Sequence, residues 1–205
     1  MYIERMTNRI RNASENNIAL RDLIVAAASK VFAEEGYSSL SMRRVAQEVG
    51  CSQMAMYRHF ANKEALTQHI CGQLYAGFTA RMNREIASVS DPWEKLHCFI
   101  IALIRFATSN PDHYSLIFLV RHETSDENAE RERLGQEFVG GMRDIVRDLL
   151  DEATPDAVLH TKLRQMLACL HGTAALLIAH PKAYGLTKQK AIDDAEATFR
   201  SLLEQ

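Results

Sequence analysis

Cysteine, proline and glycine are all scarce in this chain, and strand-like alternation of apolar and polar residues is missing from it. The four cysteines, Cys51, Cys71, Cys98 and Cys169, stand far apart and never form C-x-x-C. That excludes a disulfide scaffold and the paired-thiolate spacing of a structural zinc site, and each is expected to be a reduced, buried thiol. Only 4 prolines and 9 glycines among 205 residues exclude collagen-like and low-complexity architectures. No apolar run reaches the roughly 18 to 20 residues that span a bilayer. The N-terminus is polar and Arg-bearing with no apolar segment behind it, so a cytoplasmic protein without a membrane partner is expected. H-E-x-x-H, G-x-S-x-G and a glycine-rich phosphate loop are also missing, and the 8 histidines fall at no metal-ligand spacing. No catalytic residue, metal or cofactor is expected, which sets aside an enzyme.

What is present is the material of a folded helical protein: 47% hydrophobic and 24% charged residues, enough for a core under a solvated surface. The net charge of -2 would by itself argue against nucleic acid, but it is unevenly spread. Residues 1–70 carry +2 and residues 71–205 carry -4, so the first third is the part suited to a polyanion.

Apolar residues recur at three- and four-residue spacing from about Leu20 to the end, so the chain reads as all-α, with about nine helices. Residues 1–16 lack that period and contain Arg5, Arg9 and Arg11, and they are expected to form a flexible basic arm. A first helix over 18–35 places Leu20, Leu23, Ile24, Ala27, Val31 and Phe32 on one stripe and stops at Gly36. Ser41 caps a short helix over 42–49 that closes at Gly50, and Ser52 caps the segment Gln53 to Phe60, with Met56 and Phe60 inward. Two short helices joined by a few residues containing Gly form a helix-turn-helix. Asn62 caps a longer helix running to about 87. Asp91-Pro92 and Asn110-Pro111 open helices over 92–109 and 111–121. A polar, acidic stretch over 122–130 precedes a helix through Phe138, Met142, Ile145 and Leu149, and the last two helices cover about 157–179 and 188–203. The expected division is an arm over 1–16, a helix-turn-helix domain over 17–66 and a larger domain over 67–205.

In a helix-turn-helix the second helix enters the major groove. Its outward candidates here are Gln53, Met54, Ala55, Tyr57 and Arg58. Gln suits adenine, Arg suits guanine or a phosphate, and Met and Ala suit a thymine methyl. Arg43, Arg44, Tyr57, His59 and Lys63 suit phosphate oxygens, which position a protein without reading sequence. Gly36-Tyr37, Ser41-Met42-Arg43, Val45-Ala46, Val49-Gly50, Tyr57, His59-Phe60 and Lys63-Glu64 together resemble the DNA-binding domain of TetR-type regulators over about residues 18–66. That resemblance implies phosphate contacts by Tyr57, His59 and Lys63. Met54, Ala55 and Arg58 depart from the family's usual recognition helix, so no operator sequence carries over.

Further on, Pro111-Asp112-His113-Tyr114 and His171-Gly172 look like the Pro-x-x-Tyr and His-Gly elements of one ligand-binding subclass of that family. The resemblance implies a helical pocket for a small, largely apolar effector and a homodimer formed by the last two helices. Phe99, Leu103, Phe106, Tyr114, Phe118, Phe138, Met142, Met166 and Cys169 are the candidate lining, with His171 as its polar member; a filled core is the alternative. The final helices carry stripes at Leu163, Leu167, Leu170, Ala174 and Leu177 and at Ile192, Ala195, Phe199 and Leu202. These need a cover that a two-fold mate would supply. The expected function is therefore a repressor released from a palindromic operator on double-stranded DNA, with an effector-independent architectural or protein-binding module as the alternative.

Overall fold

The computed structural model describes the backbone of residues 2–119, 129–180 and 183–204, and the side chains of residues 18–119, 132–180 and 184–204. Among the described residues there are nine α-helices and no strand: α1 Tyr2–Glu35, α2 Met42–Val49, α3 Gln53–His59, α4 Lys63–Ala87, α5 Pro92–Ser109, α6 Pro111–Tyr114, α7 Ala129–Leu149, α8 Asp156–Ala179 and α9 Lys188–Leu203. The fold is all-α. The expected acidic stretch falls largely outside the described residues, as do the side chains of Arg5, Arg9 and Arg11.

The chain forms two compact units, residues 1–71 and 72–205, and the division falls inside α4 rather than at the 66/67 boundary read from the sequence. In the first unit, α1 runs on through residues 2–16, where an arm was expected. Those residues contain neither Gly nor Pro to stop a helix, and extending a formed helix costs far less than starting one. Ile24, Val25, Ala28, Val31 and Phe32 form the buried face of α1, whereas Leu23 is exposed, so the stripe is turned by about one residue from the one expected. α1 packs on α2 and α2 on α3. Leu40, Val45, Met56, Phe60, Leu66 and Ile70, all at most 4% exposed, complete this core.

In the second unit α5 is the central helix, packing against α7, α8 and α9. Its Phe99, Ile100, Leu103, Ile104 and Ala107 are fully buried. The terminal stripes do not await an outside cover: Leu163, Leu170, Ala174, Leu177, Ile192, Ala195 and Phe199 are buried within the chain itself. Leu167 and Leu202 are half-buried. The helix expected over 111–121 is also different. Four α-helical residues are followed by a π-helical turn, Ser115–Leu119. All four cysteines are free, but only Cys71 is buried; Cys98 and Cys169 are half-buried on helices and Cys51 is half-buried in the turn between α2 and α3.

Candidate DNA interface and effector site

Local chemistry fixes α2 and α3. Ser41 Oγ accepts from the Arg44 N–H (3.1 Å) and Ser52 Oγ from the Ala55 N–H (3.2 Å), each satisfying a donor that the first turn of its helix leaves open. Gly50, at φ 76°, takes the left-handed conformation that closes α2 and lets its N–H and that of Cys51 both reach Ala46 O (2.9 and 3.0 Å). Asn62 Oδ1 caps α4 through the Ala65 N–H at 2.8 Å.

The two faces of α3 are sharply different. Met56 is 0% and Phe60 4% exposed, anchoring the inner side, while Met54 and Tyr57 are 72% and 55% exposed on the outer side. Met54 and Tyr57 together give this short helix an exposed face with apolar area available to another molecule. Gln53 and Arg58 are exposed beside them, Ala55 and His59 half-buried, and Arg43 of α2 exposed. This face offers an amide for an adenine edge, a thioether for a thymine methyl, and a phenol and guanidiniums for phosphates.

Two basic residues are placed otherwise than expected. The Arg44 guanidinium bridges Glu35 (2.8 Å) and Glu48 (2.9 Å), and Lys30 also pairs with Glu48 at 2.8 Å. These carboxylates raise the Arg44 pKa, and the cations Lys30 and Arg44 lower that of Glu48. Arg44 thus ties α1 to α2 where a free phosphate ligand was expected. Lys63 donates to Tyr37 O (2.9 Å) and lies 3.9 Å from the centre of the Tyr37 ring, and the Tyr37 hydroxyl donates to Glu64 (3.4 Å). The sequence pairs Gly36-Tyr37 and Lys63-Glu64 therefore meet in space. One Lys63 N–H holds the turn, leaving two for other acceptors.

The residues singled out for an effector do converge. Tyr114, fully buried, is hydrogen-bonded through its hydroxyl to His171 Nδ1 at 2.6 Å. Burial raises the phenol pKa and lowers that of the imidazole, so both groups are held toward their neutral forms. Phe118 lies 5.0 Å from both rings, brought there by the π-helical turn that follows Tyr114. Phe138 joins Phe118 (5.7 Å), Phe99 (4.8 Å) and His171 (6.3 Å). Leu103, Met142 and Met166 are fully buried. Cys169, two positions before His171, falls on the opposite flank of α8 and joins none of these rings. Sequence reasoning missed Tyr75 and Phe78. Tyr75 lies 5.3 Å from Phe118, and Phe78 stacks on Phe106 at 4.5 Å. Their three-residue spacing on α4 was a signal, but the candidate lining was drawn only from the helices that follow it.

The chain matches the family model described as "Bacterial regulatory proteins, tetR family" over residues 24–70 and that described as "Tetracyclin repressor-like, C-terminal domain" over residues 96–205. It is 24% identical over 177 residues to the HTH-type transcriptional activator FasR of Mycolicibacterium smegmatis, covering 86% of this chain and 77% of that one. It is 28% identical over 118 residues to the nucleoid occlusion factor SlmA of Vibrio vulnificus, 57% of this chain and only 59% of that protein's length. Its fold is similar to that of the transcriptional regulator FadR from Bacillus subtilis in complex with stearoyl-CoA, at a TM-score of 0.66 and 16% identity, covering 88% of this chain and 96% of that chain.

Proposed function

This chain belongs to the TetR family of bacterial DNA-binding regulators, and from that premise we propose that it is a dimeric repressor released from a palindromic operator by a small, largely apolar effector. The observation that carries the DNA-reading half is the outer face of α3, where Met54 and Tyr57 stand exposed over a sealed inner face. Gln53, Met54, Ala55 and Arg58 are assigned to base edges, and Arg43, Tyr57, His59 and the remaining N–H groups of Lys63 to phosphates.

The dimer is assigned to a face of α8 other than the one expected. Val158, Thr161, Gln165, Ala168, Gly172, Leu176 and Ala179 recur at three- and four-residue steps and are all exposed. Its second half is apolar, with small residues at Ala168, Gly172 and Ala179 around Leu176, which suits helix approach across a two-fold axis. A dimer sets two α3 helices about 34 to 36 Å apart, one turn of DNA. Effector binding in the second unit then favours a different spacing, and release follows from its differential affinity for the two states. Support for the effector is the buried Tyr114–His171 pair, a polar handle inside an aromatic cluster formed by the Pro-x-x-Tyr and His-Gly elements. The FadR structure of similar fold holds stearoyl-CoA, a ligand with a long apolar chain.

The test is selection and sequencing of genomic fragments bound by the purified protein at fixed salt. Recovery of one palindromic site, lost in Tyr57→Ala and vacated on adding a compound, supports the proposal; recovery of no site refutes it. A second reading, an effector-independent architectural or protein-binding module, is favoured by how tightly the cluster is packed, with Phe99, Tyr114, Met142 and Met166 all 0% exposed. The likeness to a nucleoid occlusion factor points the same way. A site that no compound vacates would support it.

A further inference from the structure

Beside the aromatic cluster, α4 and α5 enclose a cleft of about 570 Å³, a volume within the range of small-molecule sites. Its floor is apolar, made by Leu74, Phe78, Met82 and Phe106, and its rim carries Arg81 from α4 and Arg105 from α5. Both guanidiniums are exposed, and among the described residues neither is in an ion pair. Glu85 is the one carboxylate among the lining residues, one turn beyond Arg81, so the rim keeps a net positive charge in a part of the chain that carries -4 overall. Two unpaired arginines on facing helices above an aromatic floor match a carboxylate attached to an apolar body, since the guanidinium fork fits a carboxylate through two parallel hydrogen bonds.

The floor is continuous with the buried cluster. Phe78 and Phe106 stack at 4.5 Å within the cleft, and Phe78 lies 6.1 Å from Phe138. Gly77 widens the cleft: a Cβ built there meets nothing within 4 Å.

We propose that the α4–α5 cleft binds an apolar monocarboxylate, its head group held by Arg81 and Arg105 and its body lying on Phe78 and Phe106 toward Phe138. The proposal rests on the effector reading above and names the chemical class and the seat of that effector. The experiment is calorimetric titration of the full chain with decanoate, decanol and decyltrimethylammonium at one low salt concentration. Operator occupancy is followed in the same samples. Decanoate is expected to bind about tenfold or more tightly than decanol, the worth of one or two charge-assisted hydrogen bonds. The double variant Arg81→Gln/Arg105→Gln is expected to lose that preference while binding decanol as before. Gly77→Leu, which fills the cleft from an open position, is expected to weaken both ligands.

Decanoate binding no tighter than decanol would overturn the proposal. So would a preference for the cation, an unchanged preference in the double arginine variant, or full decanoate affinity in Gly77→Leu. The two readings separate cleanly. Arginine-dependent decanoate binding that leaves the operator occupied supports the cleft and counts against effector release. Release by another compound without decanoate binding overturns the cleft and leaves the regulator standing.

Discussion

Tyr114→Phe removes one oxygen and no ring, so it isolates the hydrogen bond at the centre of the second unit. In the native protein the hydroxyl lies 2.6 Å from His171 Nδ1, with Tyr114 fully buried and the imidazole enclosed by Phe118 and Phe138. Without the hydroxyl, Nδ1 loses this partner inside the aromatic cluster, a loss of about 1 to 3 kcal/mol. For a chain of this length each kcal/mol corresponds to about 2 to 4 °C in Tm. His171→Leu strands the other partner and carries a similar cost. The double variant places apolar groups on both sides, so its destabilisation is expected to fall short of the sum of the singles by about 1 kcal/mol or more. The assay is urea unfolding followed by circular dichroism at pH 7.5 for the wild type and the three variants. Additive singles, or a Tyr114→Phe protein as stable as the wild type, would refute the reasoning that this bond is a desolvated, mutually dependent pair.

Four further outcomes follow from the same geometry. Burial lowers the pKa of His69, His113 and His171 from the ordinary 6.5; the unfolded chain then binds more protons than the native one as pH falls below that value. Stability is expected to be full above about pH 6.5 and to decline beneath it, and a Tm that rises on acidification to pH 5.5 would contradict this. Gly50→Ala meets no atom within 4 Å but must hold φ 76°, so it is expected to cost about 1 kcal/mol in urea unfolding; an unchanged midpoint would count against the strained turn. Gln53→Ala is expected to relax discrimination at one base pair by about 1 to 3 kcal/mol, whereas Arg43→Ala weakens all sequences alike and lowers the salt slope by about one. Equal effects of the two on specificity would dissolve that division of labour. Leu176→Glu, at a position 42% exposed within one chain, is expected to halve the mass seen by sedimentation while leaving helicity intact; an unchanged mass would remove α8 from the dimer.

The caps were the most legible part of the sequence. Ser41, Ser52, Asn62 and Asp91 each accept the hydrogen bond expected of them, and Gly36 and Gly50 both adopt positive φ. Cap chemistry is local, settled within three or four residues, and the bounds of α2 and α5 were readable for that reason. What depends on distant partners was not. The apolar periods of α8 and α9 show which faces shun water, but not that α5 of the same chain covers them. Arg44 looked available because its partner Glu35 sits on another helix. The π-helical turn after Tyr114 has no sequence marker, yet it determines how Phe118 reaches both Tyr114 and His171. On α3 the exposure of Gln53, Met54, Tyr57 and Arg58 was legible, and Ala55 is half-buried, because the buried Met56 and Phe60 fix the helix orientation at helical spacing.

The central claim is that the exposed face of α3 reads DNA. Its most direct test is an anisotropy titration, at fixed salt, of a selected genomic fragment with the wild type and with Gln53→Ala/Met54→Ala/Tyr57→Ala/Arg58→Ala. The four side chains are exposed or, for Met54 and Tyr57, more than half exposed, so the variant is expected to stay folded. Specific affinity is predicted to fall more than about hundredfold, toward the level of unrelated DNA. A folded variant that binds the fragment as tightly as the wild type would contradict the account.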